Sequence, residues 1–383
     1  MPSLYEKIKG MQPNQVKKSA ASAELDILLR VTRLQFPYGN RENIGGETLS
    51  YLSNGKVLES VDSGSFLFLD TETTGLSGGA GTLAFLIGLG EITGDELVVT
   101  QLLMRDYDQE PLVLHQFLAY LKEIRCLVSY NGAGFDVPLL ESRLTLNRLD
   151  HDLSAHAHID MLYAARRVFK LRLKRCSLSR LEEEIFSETR QDDLPGSEVP
   201  RRYFQYLEHK REELLEDVLK HNCQDIVSLA RLLFHVADLH EQPLLAGHQE
   251  DLFSLGKVYE RHRQTYRAAE CYRACVDQPV RDIAQLRLAE MYKRARMDED
   301  AAQTFELLRL SPAARPGVYI ALSKLYEHRF RQPLRALDIA RQGMVYCTER
   351  LHKSGTVNAE YEDLKRRCLR LMRKVEKQNN GIS

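Results

Sequence analysis

The sequence predicts an α/β domain built on a mixed sheet, followed by an all-α domain of repeated helices. Three observations carry that prediction. Strand-length apolar runs fill residues 65–103, helical spacing alternates with shorter apolar runs up to about residue 240, and a period near 34 residues governs the C-terminal third. The first region opens as a three-strand meander of FLFLD, TLAFLIGLG and ELVVTQLLM, separated by GLSGGAG and the turn TGDE. Residues 110–124 place Leu112, Leu114, Phe117, Leu118 and Leu121 along one side of a helix. CLVSY is a short apolar strand, FDVPLLESRLTL a helix and HID a short segment. A basic helix then runs from Met161 to about Lys170.

The order β-β-β-α-β-α-β-α is that of a ribonuclease-H-like mixed sheet, in which the first strand lies beside later parallel ones. Residues 182–216 read as charged and irregular before turning helical, with 192–200 a surface loop punctuated by Pro and Gly. This gives residues 61–240 as the α/β domain and residues 1–60 as an N-terminal extension packed on it. Beyond a connector, Leu255-Gly256 with Tyr259 recurs as Leu288-Ala289 with Tyr292 and Leu322-Ser323 with Tyr326. The tyrosines are 33 and 34 residues apart, and Ala269, Ala302 and Ala336 keep the same offsets. Residues 250–376 therefore resemble tetratricopeptide repeats, about three stacked units with YEDLKRRCLRLMRKVEK as the capping helix.

With 383 residues, two domains are the natural expectation. The 53 basic and 54 acidic residues nearly cancel, so any affinity for nucleic acid must come from local patches. MPSLYEKIKGMQPNQVKKSA lacks the apolar core of a secretory leader, and the apolar stretch from Phe66 to Leu89 is broken by acids and glycines. Seven cysteines without framework spacing fit reduced thiols. These readings predict a cytoplasmic protein with no membrane span. GLSGGAGT lacks the Gly-Lys-Ser/Thr ending of a phosphate loop. His151, His156 and His158 follow no recognised zinc spacing.

Four carboxylates dominate the chemistry. Asp70 and Glu72 are two apart on a strand, so both project to one face. Asp136 opens a helix, where an acid also serves as a cap. Asp225 lies within a helix among Ile226, Leu229 and Leu232, an uncommon place for an acid without a partner. Converging hard oxygen ligands are what Mg2+ or Mn2+ requires. Asp160, before the basic helix, is either a fifth acidic contributor or that helix's cap. The seven basic residues from Arg166 to Arg180, including Arg167 and Lys170, form the clearest positive patch, and Tyr163 and Phe169 flank or interleave with it. A second basic run spans Lys365 to Lys377.

D-x-E-x-T-G-L after a strand, N-x3-F-D after a later strand and H-x3-D in a later helix resemble the three motifs of DEDD-type 3′–5′ exonucleases. More narrowly, RQDDLPG, Tyr203, Tyr206 and HN-x-x-D are similar to the YprB-like ribonuclease-H-like proteins, predicted exonucleases with C-terminal tetratricopeptide repeats. The resemblance implies two-metal hydrolysis, with two Mg2+ or Mn2+ ions held by Asp70, Glu72, Asp136 and Asp225. It places His221 beside the attacking water, at the position where one subgroup has Tyr. The basic patch with its rings suits a single-stranded nucleic acid met by Asn131, Phe135, Arg166, Arg167 and Lys170, and the concave face of a repeat array is open to a protein partner. Two other readings fit the residues: a non-catalytic nucleic-acid-binding adaptor, and a structure-selective endonuclease on the same fold.

Overall fold

The computed structural model describes residues 27–380 apart from 58, 76–80, 123, 191–193, 313 and 355–358. Most of GLSGGAG and the middle of RQDDLPG therefore lie outside the described residues. The chain divides into two units, Met1–Leu245 and Ala246–Ser383.

The first unit contains strands β1 (Leu28–Gln35), β2 (Asn43–Ile44), β3 (Val61–Asp62), β4 (Phe66–Thr73), β5 (Ala84–Thr93), β6 (Glu96–Leu103), β7 (Cys126–Ser129) and β8 (Ala157–Asp160). Its helices are α1 (Gly46–Ser53), α2 (Glu110–Leu121), α3 (Asp136–Leu146), α4 (Met161–Leu173), α5 (Leu178–Phe186), α6 (Val199–His209) and α7 (Glu216–Glu241). Six strands form one mixed sheet in the order β1-β6-β5-β4-β7-β8, and β2 pairs with β3 apart from it. The meander and β1 are antiparallel, whereas β7 and β8 run parallel to β4. This is the ribonuclease-H-like arrangement predicted from the element order.

The sixth strand, β1, comes from the segment read as an extension. It is an edge strand whose residues are mostly half-buried or exposed, so LLRVTRLQ carries little apolar signal. Helix α5 lies in the stretch read as irregular. It forms because Ser177 caps its start, accepting from the Arg180 amide, because Leu178 and Leu181 are buried, and because Glu is a good helix former.

Strand alternation sorts β4 between two layers. Leu67 and Leu69 join a core with Ile87 and Leu89 of β5, Val113 and Phe117 of α2, Leu140 of α3 and Tyr203 of α6. Phe66, Phe68, Asp70 and Glu72 share the other face, which α7 covers. Phe66 meets Phe234 of α7 edge-on at 6.3 Å. Two glycines on β5 let this helix come close: a Cβ at Gly90 would lie 2.5 Å from Ile226 Cγ2, and one at Gly88 would lie 2.2 Å from Asn222 Oδ1.

The second unit is helical throughout its regular structure among the described residues. Gln249–Arg261 packs with Thr265–Ala274, Val280–Arg294 with Asp298–Arg309, and Pro316–His328 with Pro333–Ser354; Ala359–Asn380 is the last helix. Tyr259, Tyr292 and Tyr326 are buried, as are Ala269, Ala302 and Ala336, so the periodic residues form the packed seam. Gly256 is small because the Tyr272 ring passes 2.6 Å from where its Cβ would sit. In the basic run 365–377, Arg367, Arg370 and Lys374 converge on buried Glu327. Those three cations tie the last helix to Pro316–His328. Among the described residues, no helix is long and apolar enough to cross a membrane.

Candidate active site

The acids gather at the C-terminal ends of the parallel strands, the end where open α/β sheets bind ligands. Leu69 of β4 pairs with Ser129 of β7, and Ser129 pairs with Asp160 of β8, so the three chains leave the sheet side by side. Asp70 and Glu72 lie just past that row on the face covered by α7. Between them, the Thr71 hydroxyl donates to Asp136 Oδ1 and ties β4 to the start of α3. Thr71 carries no signal in the sequence beyond its place in the DTE triplet.

The loop from β7 to α3 is held from beneath. Asn131 adopts a left-handed conformation, φ 66°, which Asn tolerates better than most residues. Its amide donates to Asp160 Oδ1 at 2.8 Å, and the Ala133 amide donates to Asp160 Oδ2 at 3.2 Å. Asp160 also accepts from the Leu162 amide at 3.0 Å, capping α4. Both of its oxygens are thus engaged by backbone donors, so Asp160 caps α4 and holds the loop. Gly132 is required by the same packing: a Cβ there would lie 2.5 Å from Ser129 Oγ and 3.0 Å from Asp136 Oδ2. His158 meets Ser129 Oγ at 2.8 Å, and the His151 and His156 rings stack with Nε2 atoms 3.2 Å apart.

Helix α7 brings Asn222, His221 and Asp225 over this edge. Asn222 is fully buried; its Nδ2 donates to Asp70 Oδ2 at 2.8 Å, while its Oδ1 accepts from Gln101 Nε2 at 2.9 Å. One turn apart on the same face, His221 Nε2 stands 3.7 Å from Asp225 Oδ2. Asp225 also accepts from Arg190, whose guanidinium is bidentate to Glu182 at 2.6 Å on both contacts. The sequence singles out neither Arg190 nor Glu182 as a site residue, and Asn222 stands in it only as part of HN-x-x-D.

The four carboxylates act on one another through their charges. Burial raises the proton affinity of Asp70 well above the usual carboxylate range; Asp225, Glu72 and Asp136 raise it further, opposed by the Asn222 hydrogen bond. Burial also pushes Glu72 up to about 8, with Asp225 and Asp136 adding to it and His221 and Arg190 opposing it. Asp136 is raised by burial against the hydrogen bond from Thr71. A set of hard oxygen donors whose charges repel one another fits a divalent cation. Among the described residues, however, no group of three His, Cys, Asp or Glu side chains is drawn close enough to hold an ion.

The expected substrate contacts separate into two kinds. Phe135, beside Asp136, exposes 57% of its surface and Tyr163 exposes 50%. Arg166 and Lys170 are exposed on α4. Arg167 instead donates to the carbonyls of Tyr51 and Leu52 at the end of α1, so it is engaged in holding that helix. A cavity of about 710 Å³ opens between α1, β8 and α3, lined by Lys56, His156, His158 and Tyr163 among others.

This sheet, with acids at the ends of its parallel strands, defines a ribonuclease H superfamily domain: residues 67–237 match the family model RNase_H_2, RNase_H superfamily. That membership points to a nuclease acting on nucleic acid, a class that generally uses divalent metal ions. Over 318 residues the chain is 33% identical to a Bacillus subtilis (strain 168) protein, Uncharacterized protein YprB, with 79% of this chain and 76% of that one covered. The chain belongs to the same family as that protein.

Proposed function

We propose that the chain is a metal-dependent 3′–5′ exonuclease of DEDD type, acting on single-stranded nucleic acid. The observation that carries this reading is the gathering of Asp70, Glu72, Asp136 and Asp225 at the ends of the parallel strands, the first three half-buried with raised proton affinity. These four residues would hold two Mg2+ or Mn2+ ions. When bound, such ions supply acidity to water and positive charge to the developing phosphorane and leaving oxygen. Thr71 and Asn222 orient Asp136 and Asp70 respectively, and Asp160 fixes the loop that carries Asp136. His221 takes a proton from the attacking water. Phe135 offers a ring for base stacking, and Arg166 and Lys170 neutralise phosphates. In this reading, residues 61–240 form the nuclease domain and residues 250–376 are repeats of tetratricopeptide type whose face recruits a protein partner.

The test uses 5′-labelled single-stranded DNA and RNA with Mg2+, Mn2+ or chelator. The expected result is metal-dependent shortening from the 3′ end that Asp70→Ala abolishes. Unchanged substrate in every metal condition refutes catalysis, and cutting of a circular single strand assigns an endonuclease instead.

A further inference from the structure

We infer that Arg190 is a built-in cation that competes with the divalent metal for Asp225, so that metal binding there requires the guanidinium to leave. The inference rests on the metal-dependent reading of the four acids. Arg190 is mostly buried, with 11% of its side chain exposed, and its Nη2 donates to Asp225 Oδ1. It is held in place by Glu182, whose side chain is 1% exposed and accepts from both Nε and Nη2 at 2.6 Å. A carboxylate oxygen bonded to a guanidinium has one fewer lone pair to offer an ion, and the added positive charge repels that ion.

The same guanidinium reaches His221. Nη1 lies 3.4 Å from Nδ1 of the imidazole, and Arg can only donate, so Nδ1 is the acceptor. Arg190 therefore touches both a carboxylate oxygen of Asp225 and a ring nitrogen of His221. Its departure from Asp225 frees the two together. Glu182 keeps the departed guanidinium beside the site, where phosphate is the anion best suited to its planar fork. In this role Arg190 is a positioning residue, acting through Asp225 and His221.

Calorimetric titration of the full chain with Mn2+, without nucleic acid, reads this directly. Arg190→Gln is expected to bind Mn2+ at least about tenfold more tightly than wild type, because one charge-assisted hydrogen bond no longer has to break. That variant leaves Glu182 buried without its cation, a change that destabilises folds, so the neutral pair Glu182→Gln/Arg190→Gln serves as the second variant. Tighter binding by either folded variant supports the competition. Equal or weaker binding by every variant that folds overturns it, while leaving the exonuclease reading intact. No Mn2+ uptake by wild type or by any folded variant overturns both.

Discussion

Replacing Gly88 with Ala tests whether the approach of α7 to the sheet sets the acid cluster. The new methyl would lie 2.2 Å from Asn222 Oδ1, 2.6 Å from Nδ2 and 2.7 Å from Cγ. Asn222 is wedged between Gln101 and Asp70, so its amide must leave its place or the helix must rise. Overpacking costs about 1–3 kcal/mol, and losing a hydrogen bond to a charged group about 1.5–3 kcal/mol, so Gly88→Ala is expected to destabilise by roughly 3–5 kcal/mol. For a unit of this size that lowers Tm by on the order of 10 °C. Asn222→Ala removes the obstacle and itself costs about 2–4 kcal/mol through lost bonds and a cavity. Adding Gly88→Ala to that background is then expected to cost under about 1 kcal/mol, a strongly non-additive cycle. Scanning calorimetry of chelated protein measures all four Tm values. Additive losses, or a Gly88→Ala protein as stable as wild type, would refute the argument that this glycine makes room for Asn222.

The remaining predictions concern charge and proton transfer. Glu72 binds its proton more tightly folded than unfolded, so its contribution to stability is complete below about pH 4.5 and is lost as pH rises through about 8. Asp70 and Asp136 shift in the same direction, so metal-free protein is expected to lose a few kcal/mol between about pH 5 and pH 8. Glu72→Gln is expected to flatten that decline in a thermal melt series with chelator, and an equally steep decline in the variant would contradict the assignment. His221→Asn is expected to lower kcat about a hundredfold or more while leaving the Mn2+ dissociation constant within about threefold. Loss of metal uptake in that variant would make His221 a ligand.

The linear sequence is most legible where chemistry and periodicity coincide. Asp70 and Glu72 two apart on an apolar strand declare a shared face, and the one-turn spacing of His221 and Asp225 does the same on a helix. The tyrosines at 259, 292 and 326 mark the helical seam because each repeat must bury the same spot against its neighbour. Edge strand β1 is not legible, since a strand with little buried surface has no reason to carry an apolar pattern.

Residue type, spacing and order in the chain determined the fold class and nominated four acids, because local periodicity and burial costs act through near neighbours. Only tertiary structure decided what each acid touches: Thr71 on Asp136, Asn222 on Asp70, Arg190 on Asp225, and Asp160 bonded to backbone amides. Arg190 lies 35 positions before Asp225, and Asn222 lies 152 after Asp70. No spacing rule links such pairs. They meet because Gly88 and Gly90 let one helix settle onto the sheet, and electrostatics then acts over ångströms rather than residues.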